Sequence, residues 1–263
     1  DRSATYDKEI VSNGVGVNRI DSLFIRRIAD VNAGDFITAN TVSGNTLIIE
    51  NLTTHRTSHY FTHKTGDGTL IINSGEVWYF PEIVAGNFIL NADEVNDGRV
   101  NREIPSGALV GGAGTIAQND GTQFNFLSGS TLAPGASGIG DITAGTLTLR
   151  NDGDVDRDNC YYTLQTGSTL AIDVFADGTS DKLVVTGNTT VEQLEFNIES
   201  GVTLALSVTP TYYLDYMIAE FTDAGQLLAG NEFDFVTLNG TTLGLDEYDI
   251  TYTPHIGGEV GTG

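Results

Sequence analysis

Four aspartates alternate along one short stretch, Asn151-Asp152-Gly153-Asp154-Val155-Asp156-Arg157-Asp158-Asn159. If Asp152, Asp154, Asp156 and Asp158 turn to one side of a loop, they supply the oxygens that Ca²⁺ takes at about 2.3–2.6 Å. The run departs from a full calcium loop: Arg157 holds the sixth position, where glycine makes the sharp turn, and no glutamate holds the twelfth. The plainer reading is a solvated acidic loop between two strands. Calcium is the one cofactor the sequence suggests, as a motif match open to false positives.

A second constellation is His55, His59 and His63, spaced every four residues. On a helix that spacing lines one face and suits a metal. The surrounding NLTTHRTSHYFTHKTGDG has Thr at five positions and no helical apolar stripe, so loop or strand fits better. On a strand the three would still share a face as surface polar residues.

Catalysis on polysaccharide needs paired carboxylates about 5–10 Å apart, or a calcium ion with a basic residue, in a groove. Carboxylates are plentiful, at 35 Asp+Glu, but from 103 to 263 the only basic residues are Arg150, Arg157 and Lys182. No Ser/His/Asp arrangement or Cys/His cluster stands out, and the Gly135 to Gly140 run lacks the lysine and helix of a phosphate loop. Asn51-Leu52-Thr53, Asn188-Thr189-Thr190 and Asn239-Gly240-Thr241 are formal glycosylation acceptors.

The elements that must position these residues are short strands. A Thr-Leu or similar pair recurs at Thr46-Leu47, Thr69-Leu70, Thr115-Ile116, Thr131-Leu132, Thr146-Leu147, Thr169-Leu170, Leu183-Val184-Val185 and Thr203-Leu204, about 14 to 23 residues apart where copies lie close. That period suits strands and turns stacked as the rungs of a β-solenoid. Asn-Gly and Asp-Gly corners at Asn13, Asp67, Asp97, Asp120, Asp152, Asp177 and Asn239 punctuate it. With 32 Gly, 5 Pro and only 18% charged residues in 263, the chain is rich in turns and poor in helix formers.

Three regions follow. Residues 1 to 35 form an N-terminal cap or assembly segment carrying Arg2, Lys8, Arg19, Arg26 and Arg27 among the acids Asp1, Asp7, Glu9, Asp21 and Asp30. Within it, Ile20 to Ala29 has apolar residues at a helical period, though so few that a strand fits almost as well. Residues 36 to 205 are the solenoid. Residues 206 to 263 form an acidic, aromatic-rich β cap with Tyr212, Tyr213, Tyr216, Phe221, Phe233, Phe235, Tyr248 and Tyr252, suited to closing the last open rung. An aromatic binding face for sugars or a partner is the alternative for that region.

Gly112-Ala113-Gly114-Thr115-Ile116, Ser130-Thr131-Leu132-Ala133-Pro134-Gly135-Ala136-Ser137, Gly145-Thr146-Leu147-Thr148-Leu149, Gly167-Ser168-Thr169-Leu170 and Ser180 to Gly187 resemble the repeats of bacterial autotransporter passenger domains, including the passenger-associated transport repeat and the autotransporter-associated β-strand repeat. Weaker copies at Gly44 to Ile49 and Gly66 to Gly75 extend the likeness over roughly two thirds of the chain. The resemblance implies a right-handed parallel β-helix exported to the surface of a Gram-negative-like bacterium. That family usually ends in a membrane barrel, and residues 188 to 263 are too short and too acidic to make one. The chain then reads as an isolated passenger or as a protein exported by another route.

A formal charge of −23 argues against nucleic acid or anionic membrane as partner, since both need basic surface. Cys160 is the only cysteine, so no internal disulfide forms, and no apolar run is long enough for membrane insertion. The start at Asp1 fits a processed secreted protein or a trimmed segment. The leading expectation is a non-enzymatic extracellular structural or adhesive solenoid whose partner is a host or matrix surface. One alternative is a filament subunit joined end to end through Ile10, Val11, Val15, Val17, Arg26 and Arg27 against the acidic C-terminal end, which carries no Lys or Arg after Lys182. The other is a polysaccharide-degrading β-helix enzyme.

Overall fold

The computed structural model describes residues 8–12, 16–24, 37–54, 61–78, 80–94, 101–118, 121–151, 160–187, 194–207, 214–222, 225–227 and 232–251. Among them there is no helix. The strands come in threes: β1 (Lys8–Ser12), β2 (Val17–Ile20) and β3 (Leu23–Phe24); β4 (Ile37–Thr41), β5 (Thr46–Ile49) and β6 (Leu52–Thr53); β7 (Phe61–Thr65), β8 (Thr69–Ile72) and β9 (Gly75–Val77). The pattern continues with β10 (Glu82–Ile83), β11 (Asn87–Leu90) and β12 (Asp93–Glu94); β13 (Arg102–Ile104), β14 (Leu109–Gly112) and β15 (Thr115–Gln118); β16 (Gln123–Phe126), β17 (Thr131–Pro134) and β18 (Thr146–Asn151). It ends with β19 (Cys160–Leu164), β20 (Thr169–Asp173) and β21 (Lys182–Thr186); β22 (Leu194–Ile198), β23 (Thr203–Ser207) and β24 (Ala219–Thr222); then β25 (Gly225–Leu227), β26 (Phe235–Leu238) and β27 (Thr241–Thr242).

Apart from the break between β10 and β13 and the terminal β27, each strand pairs in parallel with the third strand along, so each triplet is one rung lying on the next, as in a β-solenoid. The second face is one ladder from β2 to β26, closed by the antiparallel β26–β27 hairpin at Asn239-Gly240. The third face runs from β3 to β24, and the first face is split into β1–β4–β7–β10 and β13–β16–β19–β22–β25. At the split, the Arg102 guanidinium donates to the Phe80 carbonyl at 2.7 Å.

Strands form because inward and outward residues alternate at the period of the pleat, putting Leu47, Ile49, Leu70, Ile72, Leu132, Leu170 and Leu204 inside while the threonine before each leucine, and Ile48 and Ile71, stay half-buried. In-register stacking then lays like on like, Thr46 over Thr69 and Leu47 over Leu70. Each fully buried Leu, Ile or Phe contributes about 1.5–3 kcal/mol. Phe80, Phe88, Phe124, Phe126 and Tyr162 fill the middle rungs, with Phe124 edge-on to Phe80 at 4.9 Å and stacked on Tyr162 at 5.3 Å. The Tyr162 hydroxyl donates to the Ile116 carbonyl at 3.0 Å, satisfying its polar end inside the core.

The threonine-leucine pairs fall into two columns. Thr46, Thr69, Thr131, Thr169 and Thr203 lie on the second face, with Asn87 and Leu109 filling the places between Thr69 and Thr131. Thr115-Ile116, Thr146-Leu147 and Leu183-Val185 belong to the third face, where Thr115 aligns with Thr148 rather than Thr146. From Ile20 to Ala29, the described residues are extended: Ile20 ends β2, and Leu23 and Phe24 form β3, so the helical alternative fails there. The first rung repeats the extended rung geometry because β2 and β3 each find a parallel partner in the second.

Corners are ordered by hydrogen bonds that run up the stack. Asn73 donates to Glu50 at 2.7 Å and Asn91 to Asn73 at 3.1 Å, while the Ala113 amide donates to Asn91 at 2.9 Å. At another corner the amide of Gly107 donates to the carbonyl of Gly129, Gly129 to Gly167, and Gly167 to Gly201. The Gly201 amide ends that chain on the Asp234 carboxylate. The aligned dipoles leave a positive end there, so a carboxylate is the fitting terminus.

Candidate functional site: a buried carboxylate cluster

Three buried carboxylates meet where the second face turns into the third. In the fifth rung this turn is only Gly112-Ala113-Gly114. In the sixth it is the loop 135–145 between β17 and β18, and in the seventh the loop 174–181 between β20 and β21. Asp141 comes from the first loop, Asp173 from the end of β20, and Asp181 from the end of the second loop. All three are buried, at 8%, 2% and 0% exposure.

Their oxygens tie the two loops together through backbone amides. Ser137 donates to both oxygens of Asp141, at 3.0 and 2.9 Å. Gly140 and Asp141 both donate to Asp173 Oδ2, at 2.6 and 2.7 Å, and Gly145 donates to Asp181 Oδ1 at 2.7 Å. The Asp181 amide donates to the Asp173 carbonyl at 2.8 Å, and Val174 pairs with Ser180 across the loop. The seventh-rung loop is thereby fastened to its own rung.

Gly135 sits between the carboxylates. A Cβ there would lie 2.5 Å from Asp141 Oδ2 and 2.6 Å from Asp181 Oδ2, and φ is +115°, so only glycine fits. Asp181 Oδ2 and Asp173 Oδ1 are buried with no hydrogen-bond partner. Burial, together with the charges of Asp173 and Asp141, pushes the Asp181 carboxyl up to about 7, against the pull of the Gly145 amide. The cluster can therefore hold a proton at near-neutral pH.

The aspartates Asp152, Asp154, Asp156 and Asp158 lie outside the described residues, as do His55, His59, Val15, Arg26 and Arg27. His63 lies in β7 with Nε2 3.3 Å from Glu82 of β10. Ile10 is partly buried against the core, whereas Val11 and Val17 are exposed at 47% and 67%. Among the described residues no group of three His, Cys, Asp or Glu has the geometry to hold a metal ion.

Sequence reasoning passed over Asp141, Asp173 and Asp181, and over Lys64. Asp173 carried a signal, a lone carboxylate inside the apolar run Leu170-Ala171-Ile172-Asp173-Val174. Asp181 reads as an ordinary turn residue, since only rung stacking brings it to Asp141. Lys64 is buried in β7, its Nζ donating to the carbonyls of Thr65, Gly66 and Ala85 at 3.0, 2.6 and 2.9 Å. Burial lowers its amine to about 8, partly offset by the charge of Asp67.

A shallow polar depression of about 460 Å³ is lined by Thr166, Asn197, Ile198, Glu199, Ser200, Glu232 and Asp234. Glu199 accepts from the Thr166 amide at 2.9 Å, and Asp234 caps Gly201. No family model, curated protein or solved structure matches this chain.

Proposed function

We propose that the chain is a non-enzymatic structural and adhesive segment of an extracellular bacterial surface protein, a right-handed β-helix whose working part is its outer surface and length. One observation carries this reading: the clustered ionisable groups are spent on the backbone of the stack. Asp141, Asp173 and Asp181 accept loop amides, Lys64 donates to three carbonyls, and Glu199 and Asp234 accept turn amides in the one depression described. Side chains used this way stabilise rungs and are poorly placed to act on a substrate. In this reading the hairpin β26–β27 and residues 243–251 cover the last rung, with Leu243, Tyr248 and Ile250 packed on the core, and the surface partner is a glycan or matrix protein. The purified chain, screened against immobilised glycans and matrix proteins, binds at least one without altering it. Turnover of any polysaccharide would refute the proposal.

A second reading, end-to-end self-association, is favoured by the first rung. Among the described residues β1, β2 and β3 each pair on one side only, and Val11, Val17 and Phe24 on them are exposed. An open strand edge with apolar side chains is a template for strand addition. Electron microscopy at rising salt separates the readings, because persistent monomers at high protein concentration eliminate this one.

A further inference from the structure

We propose that the loop 135–145 is a proton-controlled latch, closed onto the seventh rung while one proton is held among Asp141, Asp173 and Asp181 and released when that proton is lost. The loop is tied to the next rung through carboxylates: Gly140 and Asp141 to Asp173, and Gly145 to Asp181. Its other tethers are the Gly135 amide on the Gly112 carbonyl, the Asn91 side chain on the Ala136 carbonyl at 2.9 Å and, at the loop's end, the Lys182 amide on the Gly145 carbonyl at 2.9 Å.

With three ionised carboxylates, the cluster would bury like charges around Gly135 without a cation to offset them. The charged groups that face Asp181 are Asp141 from the loop and Asp173 from β20. Lys182, next in sequence, turns its Nζ to Glu220 of β24 at 2.8 Å, and Asp177 of the seventh-rung loop is spent on Thr179. The rungs below bring Gly112 and Ala113 of the fifth and the neutral Asn91 of the fourth to this corner. A proton on Asp181 Oδ2, which is buried beside Gly135 and accepts no hydrogen bond, removes one charge and supplies a donor.

When the proton leaves to solvent, the cheapest relief is to hydrate a carboxylate. Asp173 is fixed in a paired strand, and Asp181 is fixed by its amide and the Val174–Ser180 pairing. Loop 135–145 is the part free to lift, and it carries two outward isoleucines, Ile139 at 50% and Ile142 at 93% exposure. Opening thus changes how an apolar tip is presented on the surface of the stack.

The test is amide hydrogen exchange by NMR on the full chain from about pH 5 to about pH 8.5, with carboxyl ¹³C shifts followed in parallel. Protection of Ser137, Gly140, Asp141 and Gly145, corrected for intrinsic exchange, should fall about tenfold or more as pH rises through about 7, while Leu132 and Leu170 hold theirs. Asp181→Asn should keep the loop protected across the range, as should Asp141→Asn if the first variant does not fold. Unchanged loop protection in the native chain, or an Asp181 carboxyl that does not titrate between those limits, would overturn the proposal. So would a loop protected at high pH only when calcium chloride replaces EDTA, since a metal ion rather than a proton would then be the closing ligand.

Discussion

Gly112 and Gly107 end up in opposite surroundings, and substituting each with alanine tests the stacked corners. Gly112 has φ +131°, and a Cβ there would lie 2.0 Å from the Leu90 carbonyl oxygen of the rung below. Left-handed strain costs about 1–2 kcal/mol. The Leu90 carbonyl must also retreat from the Gly114 amide that it accepts at 3.0 Å. Orphaning a buried backbone group costs about 1–3 kcal/mol more, so Gly112→Ala should lose about 2–5 kcal/mol in all. Gly107 has φ +79° with nothing within 4 Å of an added Cβ. Its alanine variant bears only the strain, partly offset by a stiffer unfolded chain, and should lose about 1 kcal/mol or less. Urea unfolding followed by circular dichroism and by tyrosine fluorescence measures both. Repeat stacks can lose two-state behaviour, so coincidence of the two signals must be checked in each variant. Equal losses in the two variants would refute the close approach at Gly112 and the rung register that produces it.

Three other expectations follow from buried groups. The folded state holds the Asp181 proton more tightly than the unfolded chain does, so the stability this adds is complete below about pH 3.8 and lost as pH rises through about 7. Thermal melts should show a loss of about 2 kcal/mol across that window, after allowing for solvent screening, and Asp181→Asn should abolish the slope. Lys64 has the opposite sign for a base: its lowered affinity makes the chain gain stability as pH rises from about 8 towards 10.5, and Lys64→Met should remove that gain in the same melts. Phe124→Ala empties the centre of the aromatic stack between Phe80 and Tyr162 and should cost about 3–5 kcal/mol by urea unfolding.

The rung repeat was legible in the sequence because an in-register parallel stack must lay similar side chains over each other, and threonine-leucine pairs at Thr46, Thr69, Thr131, Thr169 and Thr203 do so. What one dimension hid was that Thr115, Thr146 and Leu183 form a separate column. Spacing along the chain cannot tell the next rung from the next face of the same rung. The run Gly111-Gly112-Ala113-Gly114 was readable as a turn, and its reason is the close backbone approach at Leu90. The carboxylate cluster was illegible because Asp141, Asp173 and Asp181 come from two rungs with loops of different length, so no fixed spacing links them. Nothing in Phe61-Thr62-His63-Lys64-Thr65 sets Lys64 apart. Alternation within β7 turns it inward, where turn carbonyls rather than an acid receive it.

The central claim is a single stack in which each triplet of strands adds one rung, and spin-label distances test it most directly. With Cys160 replaced by alanine, labels at Thr46 and Thr203 sit six steps apart on the second face, through Thr69, Asn87, Leu109, Thr131 and Thr169. At about 4.8 Å per step the backbone separation is about 29 Å. The pair Thr46 and Thr131, four steps apart, should give about 19 Å on the same spacing. Two narrow distributions differing by about 10 Å are the predicted result, and equal, reversed or broadly spread distances would contradict the stack.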